Sequence, residues 1–136
     1  MTRFFLKLTL AAITTAAVLI ACDKNRDNGK EKNCNHELEL YNNAKEIATA
    51  DSVAFMGWKE TAPILVQNNV NKNIREGMTE EEAWEVAINN AITNPNAPEE
   101  IKEWALKYQE LLDAFNASIA TRNSAYDAWQ QCEAGD

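Results

Sequence analysis

The sequence predicts an all-α protein, a three- or four-helix antiparallel bundle that follows an apolar N-terminal segment and a polar tether. Three observations predict this class. Apolar residues recur every three or four positions along the C-terminal part of the chain, and helix start and stop signals divide the residues before it into shorter segments. No segment alternates apolar and polar residues with the period of two expected of a half-buried strand, so we expect no sheet.

The last helix carries the strongest periodic pattern, and we predict that it runs from Pro98 to about Gln131. Pro98 suits a first turn and is followed by acidic residues, which favour the positive end of the helix dipole. A heptad seam follows, made of Ile101, Trp104, Tyr108, Leu111, Phe115, Ser118, Arg122, Ala125, Trp129 and Cys132. Four further residues widen the seam to a core-facing stripe: Ala105, Leu112, Ile119 and Tyr126. We expect Ser118 and Arg122 to form a solvated notch, because they interrupt the apolar seam.

The first helix is predicted over residues 35–60. Its apolar residues recur at helical spacing and are Leu40, Ala44, Ile47, Ala48, Phe55 and Trp58. Pro63 predicts a break or kink near residues 60–63, with Thr61 as a candidate cap. Beyond it the pattern resumes through Leu65, Val66, Val70 and Ile74 and ends at Gly77. The pattern leaves open whether residues 63–76 form a separate helix or a kinked continuation.

A third helical segment begins at a capping box, in which Thr79 and Glu82 satisfy each other's backbone amides. One face of this helix is apolar, with Ala83, Trp84, Ala87, Ile88, Ala91 and Ile92. Residues 94–97 predict a turn by their composition. The run of three glutamates at residues 80–82 is better explained by the helix start than by a cation site, because no second ligand cluster accompanies it.

The N-terminal 22 residues have a different character. Arg3 and Lys7 precede an uncharged apolar run of about 14 residues, which is shorter than the roughly 20 residues that a membrane-spanning helix needs. The run ends in Leu19-Ile20-Ala21-Cys22, which resembles the lipobox of bacterial lipoproteins. The resemblance implies cleavage before Cys22 and a lipid on its sulfur, whereas an uncleaved anchor is the alternative. Residues 1–21 are therefore predicted to be a signal peptide, residues 22–33 a lipidated cysteine with a disordered polar tether, and residues 34–136 the bundle domain.

The lipoprotein resemblance implies a place in the bacterial cell envelope, with the domain facing the periplasm or the cell surface. It leaves open whether the lipid enters the inner or the outer membrane. In that oxidising environment Cys34 and Cys132 are predicted to form one disulfide, with two free thiols as the alternative. Since Cys34 precedes the first helix and Cys132 ends the seam of the last, the bond requires these two helices to be antiparallel.

The composition argues against several kinds of chemistry. The formal net charge of −8 disfavours nucleic acid and anionic headgroups as partners. The only histidine, His36, is expected to be solvated or to cap a helix, and the sequence contains no phosphate-binding glycine loop and no CxxCH haem motif. Non-covalent haem would draw on His36, Met56 and Met78, and the last helix offers no facing ligand. We therefore predict no metal, no cofactor and no enzymatic activity.

The four tryptophans are numerous for a chain of this length, and each lies on a helical stripe: Trp58, Trp84, Trp104 and Trp129. A place in the core is the default, and one or two of them are candidates to rim a groove for a partner helix or peptide. In outline the layout is similar to that of small helical pilotin lipoproteins. The sequence thus favours a non-catalytic, membrane-anchored module that binds another envelope protein in an assembly, exclusion or inhibitor role. The alternative is a small-ligand or lipid carrier with a cavity between its helices.

Overall fold

The computed structural model describes residues 33–135, and these residues form four α-helices and no strand. The helices are α1 (Asn35–Glu60), α2 (Ile64–Arg75), α3 (Glu80–Thr93) and α4 (Glu99–Ala134). The predicted all-α antiparallel bundle with one disulfide is confirmed. The predicted signal peptide, the lipid on Cys22 and nearly all of the tether lie outside the described residues. Among residues 33–135, no helix combines the length and the apolar character that crossing a membrane requires.

Pro63 separates two helices, so the question that the sequence left open is resolved in favour of a separate α2. Pro63 is the residue before α2, with φ −56° and ψ 146°, and its carbonyl accepts hydrogen bonds from the amides of Val66 and Gln67. The expectation that Thr61 caps this helix is wrong. Thr61 instead donates its hydroxyl to the carbonyl of Trp58 at 2.7 Å and thereby closes the end of α1.

The junction between α2 and α3 follows the local sequence signals. Gly77 has φ +100°, a conformation that favours glycine, and the Gly77 amide donates to the carbonyl of Ile74. The Met78 amide donates to Asn73, which completes a Schellman motif at the end of α2. Thr79 then begins α3 with the predicted capping box, in which both reciprocal hydrogen bonds to Glu82 are present. This short connection positions α3 directly after α2.

The described residues divide into two compact units, the first of which we call the hairpin region (residues 33–50 and 115–135). It contains the first part of α1 and the last part of α4, joined by the disulfide between Cys34 and Cys132, whose Cα atoms are 5.9 Å apart. Its ring contacts pair Tyr41 with Tyr126 and Trp129. These contacts and the disulfide match rising residue numbers on α1 with falling numbers on α4, so the two segments are antiparallel.

The interior of the hairpin region is made largely of small side chains, since Ala44, Ala48 and Ala125 are buried. Ser118 is also buried, at 9% exposure, so its prediction as part of a solvated notch is wrong. Its place on the heptad seam turns its side chain inward, toward the facing helix. Arg122 is half-buried and donates to the side-chain oxygen of Asn123.

The second unit is the four-helix region (residues 51–114), to which all four helices contribute. Its buried side chains are larger than those of the hairpin region and include Phe55, Val66, Val70, Ile88, Trp104 and Tyr108. α2 and α3 pack against each other, and the buried amide of Asn73 donates to the carbonyl of Ala83 across their interface at 3.3 Å. The pairs Phe55–Tyr108 and Trp58–Trp104 show that α1 and α4 are antiparallel in this region too.

Several apolar residues of the predicted helical patterns are exposed. Ile47 is 54% exposed because it lies about 80° around α1 from the line of its buried residues, each residue turning a helix by about 100°. On α2, Leu65 and Ile74 lie about 110° and 70° from the buried line and are 53% and 42% exposed. Tyr126 is 42% exposed. Helical spacing alone therefore overestimates the width of the buried face.

Candidate docking groove

One concave surface of the four-helix region is a groove between α1, α2 and α3, which we call the docking groove. Its volume is about 500 Å³ and it is open to solvent. Its lining residues are Met56, Lys59 and Glu60 of α1, Gln67, Val70, Asn71 and Ile74 of α2, and Glu80 and Trp84 of α3. Val70 is buried, whereas Met56 and Ile74 are 49% and 42% exposed. The lining thus combines one buried and several exposed apolar side chains with three charged residues, Lys59, Glu60 and Glu80, which we call the charged rim.

The charged rim is organised around Trp84. The ammonium nitrogen of Lys59 lies 4.8 Å from the centroid of the Trp84 ring and 3.2 Å from a carboxylate oxygen of Glu80. Glu80 stands in the first turn of α3, where the helix dipole favours a carboxylate. Lysine and tryptophan at this distance attract each other because the ring face is electron-rich. Lys59 therefore bridges α1 and α3 at the edge of the groove.

Trp84 is held in position from within the region by Tyr108 of α4. The two rings stack with their centroids 5.6 Å apart and their planes 9° from parallel. Burial, and secondarily the negative charge of Glu80, raises the pKa of Tyr108 from 10.0 to about 12. The neutral phenol ring stacks on the groove tryptophan and supports it.

Trp58 and Trp104 form a separate structural pair. Their rings stack at 6.3 Å, and the Trp58 indole donates to the carbonyl of Trp104 at 3.2 Å. The Trp104 indole donates in turn to the hydroxyl of Thr61 at 3.1 Å. Both indole nitrogens are thus satisfied within the region, and these two tryptophans tie the end of α1 to the start of α4.

The sequence-predicted site residues are therefore distributed between the two regions. Of the four candidate tryptophans, Trp84 lines the docking groove, while Trp58 and Trp104 belong to the structural pair. Trp129 lies in the hairpin region, stacked on Tyr41 at 5.8 Å, and its buried indole nitrogen has no hydrogen-bond acceptor among residues 33–135. Cys34 and Cys132 form the disulfide, and Cys22 lies outside the described residues.

Sequence reasoning missed most of the groove lining, in particular Met56, Lys59 and Glu80. One signal was available, since Met56 lies off the predicted stripe of α1 and an apolar residue outside a core stripe marks a candidate surface. The contact of Lys59 with Trp84 and Glu80 had no sequence signal, because it joins residues that are 21 and 25 positions apart.

No part of residues 33–135 brings together three or more histidine, cysteine, aspartate or glutamate residues in an arrangement able to hold a metal ion. His36 is exposed in the first turn of α1. Comparison of the chain with protein-family models, with curated proteins and with solved structures finds no match. The geometry of the chain itself must therefore support any proposal about function.

Proposed function

We propose that the protein is a lipid-anchored component of the bacterial cell envelope whose helical domain binds another envelope protein without catalysing a reaction. The docking groove is the observation that carries this proposal. A groove between helices that is lined by both apolar and charged side chains suits an amphipathic helix. Burying the exposed parts of Met56 and Ile74 under a partner would stabilise the complex, because apolar surface would leave water.

The anchor is supported by the sequence, namely by the basic start, the short apolar run and the Leu19-Ile20-Ala21-Cys22 motif. The polar residues that follow would keep the domain close to the membrane surface, since residues 23–33 reach about 36 Å at most when extended. Radiolabelled palmitate is expected to enter the wild-type chain and to be absent from the Cys22→Ser variant. Equal labelling of both chains would contradict the proposed anchor.

The binding role is tested with a charge placed inside the groove and a matched charge outside it. Ile74→Glu puts a carboxylate into the apolar lining, whereas Leu65→Glu puts one on the same helix at a position that does not line the groove. Both side chains are exposed, so both variants should fold. After cross-linking in intact envelopes, we expect the protein partner to be lost with Ile74→Glu and kept with Leu65→Glu. Equal recovery with both variants would place the binding surface elsewhere.

The volume of the groove favours one alternative, a carrier of small ligands or lipids, because pockets for small molecules commonly measure about 300–1,000 Å³. Such pockets usually enclose most of the ligand surface, whereas this groove is open to solvent. Native mass spectrometry of protein purified from its own host separates the two functions. A carrier would show a bound small mass that Ile74→Glu removes, and a docking module would show none.

A further inference from the structure

The rim of the docking groove contains a cation site that the chain fills with its own side chain. We infer that the partner is an amphipathic helix bearing a basic residue, and that this residue replaces Lys59 on Trp84 and Glu80. The inference rests on the proposed docking function and specifies the chemistry of the partner. According to this inference, Lys59 competes with the partner's basic residue for Trp84 and Glu80 and leaves them when the partner binds.

The first argument is the arrangement of the site. The ring of Trp84 is 4.8 Å from the Lys59 ammonium, and the Glu80 carboxylate is 3.2 Å from it, so an aromatic face and an anion meet around one positive charge. Glu80 is 71% exposed and Trp84 is half-buried. A partner can therefore reach both groups from the solvent side of the groove.

The second argument is that the ion pair holding Lys59 is weak. The Lys59 side chain is 22% exposed, but its partner Glu80 is 71% exposed, and ion pairs with so exposed a partner contribute about 1 kcal/mol or less. An incoming arginine could make two parallel hydrogen bonds to the carboxylate and stack flat on the indole, which the lysine ammonium cannot do. The exchange of Lys59 for an arginine of the partner is therefore favourable in its local chemistry.

The third argument is charge complementarity. Of the three charged residues that line the groove, Glu60 and Glu80 are acidic and Lys59 alone is basic, and no ion pair is formed by Glu60 within residues 33–135. The whole chain carries a formal net charge of −8. A basic amphipathic helix therefore meets a field of opposite sign at this groove, whereas an acidic one meets repulsion.

The test uses three synthetic helical peptides of about 18 residues, above the length at which isolated helices are marginal. They share one leucine-rich face, and their flanking positions carry arginine, glutamine or glutamate. Binding is measured to the full chain in phosphatidylcholine nanodiscs, whose lipid has no net charge. The variants are Lys59→Met, which keeps an apolar stem on Trp84, Glu80→Gln, and the control Lys107→Met, which removes a surface lysine paired with Glu110. Circular dichroism verifies that each variant is folded.

We expect the arginine peptide to bind more tightly than the glutamine peptide and the glutamate peptide to bind most weakly. Lys59→Met should strengthen binding of the arginine peptide by about threefold to tenfold, because the competing cation is gone. The glutamine peptide should be unaffected by this change, and Lys107→Met should alter neither affinity. Combining Lys59→Met with Glu80→Gln should abolish the gain.

The results that would contradict the inference can be told apart from those that would contradict the proposed docking function. One result would contradict the inference alone: the glutamine peptide binds and Ile74→Glu abolishes its binding, but Lys59→Met does not raise the affinity for the arginine peptide. In that case docking in the groove is supported and the exchange of cations is wrong. Weaker binding of the arginine peptide by Lys59→Met would show that Lys59 is part of the wall, which also overturns the inference. If no peptide binds, or if Ile74→Glu changes nothing, both proposals fail.

Discussion

The hairpin region and the four-helix region are stabilised in different ways. In the hairpin region two helix segments meet over alanines and Ser118, and the disulfide between Cys34 and Cys132 joins them covalently. In the four-helix region the core contains Phe55 and Trp104 together with aliphatic residues from α2 and α3, and no disulfide lies within it. The comparison teaches that a covalent link is found where few helices are available to bury apolar surface.

The same comparison bears on where a groove can form. Two helices in contact leave no third wall, whereas the four-helix region places α1, α2 and α3 around a shared depression. The aromatic rings of the hairpin region stack on one another, as Tyr41 does on Trp129. In the four-helix region the ring of Trp84 is stacked on Tyr108 and also lines the groove. The region with the larger buried side chains is thus the one that contains the groove.

Removal of the disulfide is expected to have the largest effect. The bond closes a loop with a sequence separation of 98 residues, for which the chain-entropy model gives up to about 4.7 kcal/mol of unfolding free energy. In the variant with both Cys34→Ala and Cys132→Ala, the start of α1 and the end of α4 are also no longer tied together, so local opening should accelerate amide hydrogen exchange most in residues 35–50 and 115–134. Uniform acceleration that includes residues 51–114 to the same degree would remove the contrast between the regions.

An alkaline transition of the four-helix region is expected to be the next largest effect. Since the pKa of Tyr108 is 10.0 when unfolded and about 12 when folded, the unfolded chain loses its proton first as the pH rises. Stability from this group is fully present below pH 10 and is lost between about pH 10 and 12, by about 3 kcal/mol. Urea unfolding should show this loss in wild type and in the control Tyr126→Phe, but not in Tyr108→Phe. The same alkaline slope in Tyr108→Phe would contradict the assignment.

Alanine substitutions at two glycines of the four-helix region are expected to have the smallest effects on stability, and the two effects should be opposite in sign. Gly57 lies within α1 and an added Cβ would meet nothing within 4 Å, so Gly57→Ala should stabilise the protein by about 0.5–1 kcal/mol. Gly77 has equal space but a φ of +100°, so Gly77→Ala should destabilise it instead. Thermal unfolding of both variants measures whether each substitution raises or lowers the unfolding temperature. A stabilising Gly77→Ala would show that the turn before α3 does not require glycine.

Much of this fold could be predicted from the sequence because its signals are local. Pro63, Gly77 and the Thr79 capping box mark helix ends through backbone chemistry that needs no tertiary contact. The position of Cys132 on the heptad seam predicted the antiparallel pairing with the start of α1.

The groove could not be predicted in the same way because it depends on distances between helices. The helical pattern that includes Ile74 predicts its direction on α2 but not the width of the face that α3 covers. The contact of Lys59 with Trp84 likewise depends on the relative position of α1 and α3, which the sequence periodicity does not predict. Ser118 shows the opposite error, since this polar residue on the seam is predicted to be solvated although the structure buries it.

Site-specific photocross-linking tests the central claim, docking in the groove, most directly. A photoreactive benzoylphenylalanine replaces either Met56, which lines the groove, or Val53, which is 69% exposed on the same helix outside the lining. In living cells that make the full chain, Met56 should give one discrete cross-linked protein and Val53 should give none above background. Equal yields from the two positions, or a product from Val53 alone, would contradict docking in the groove.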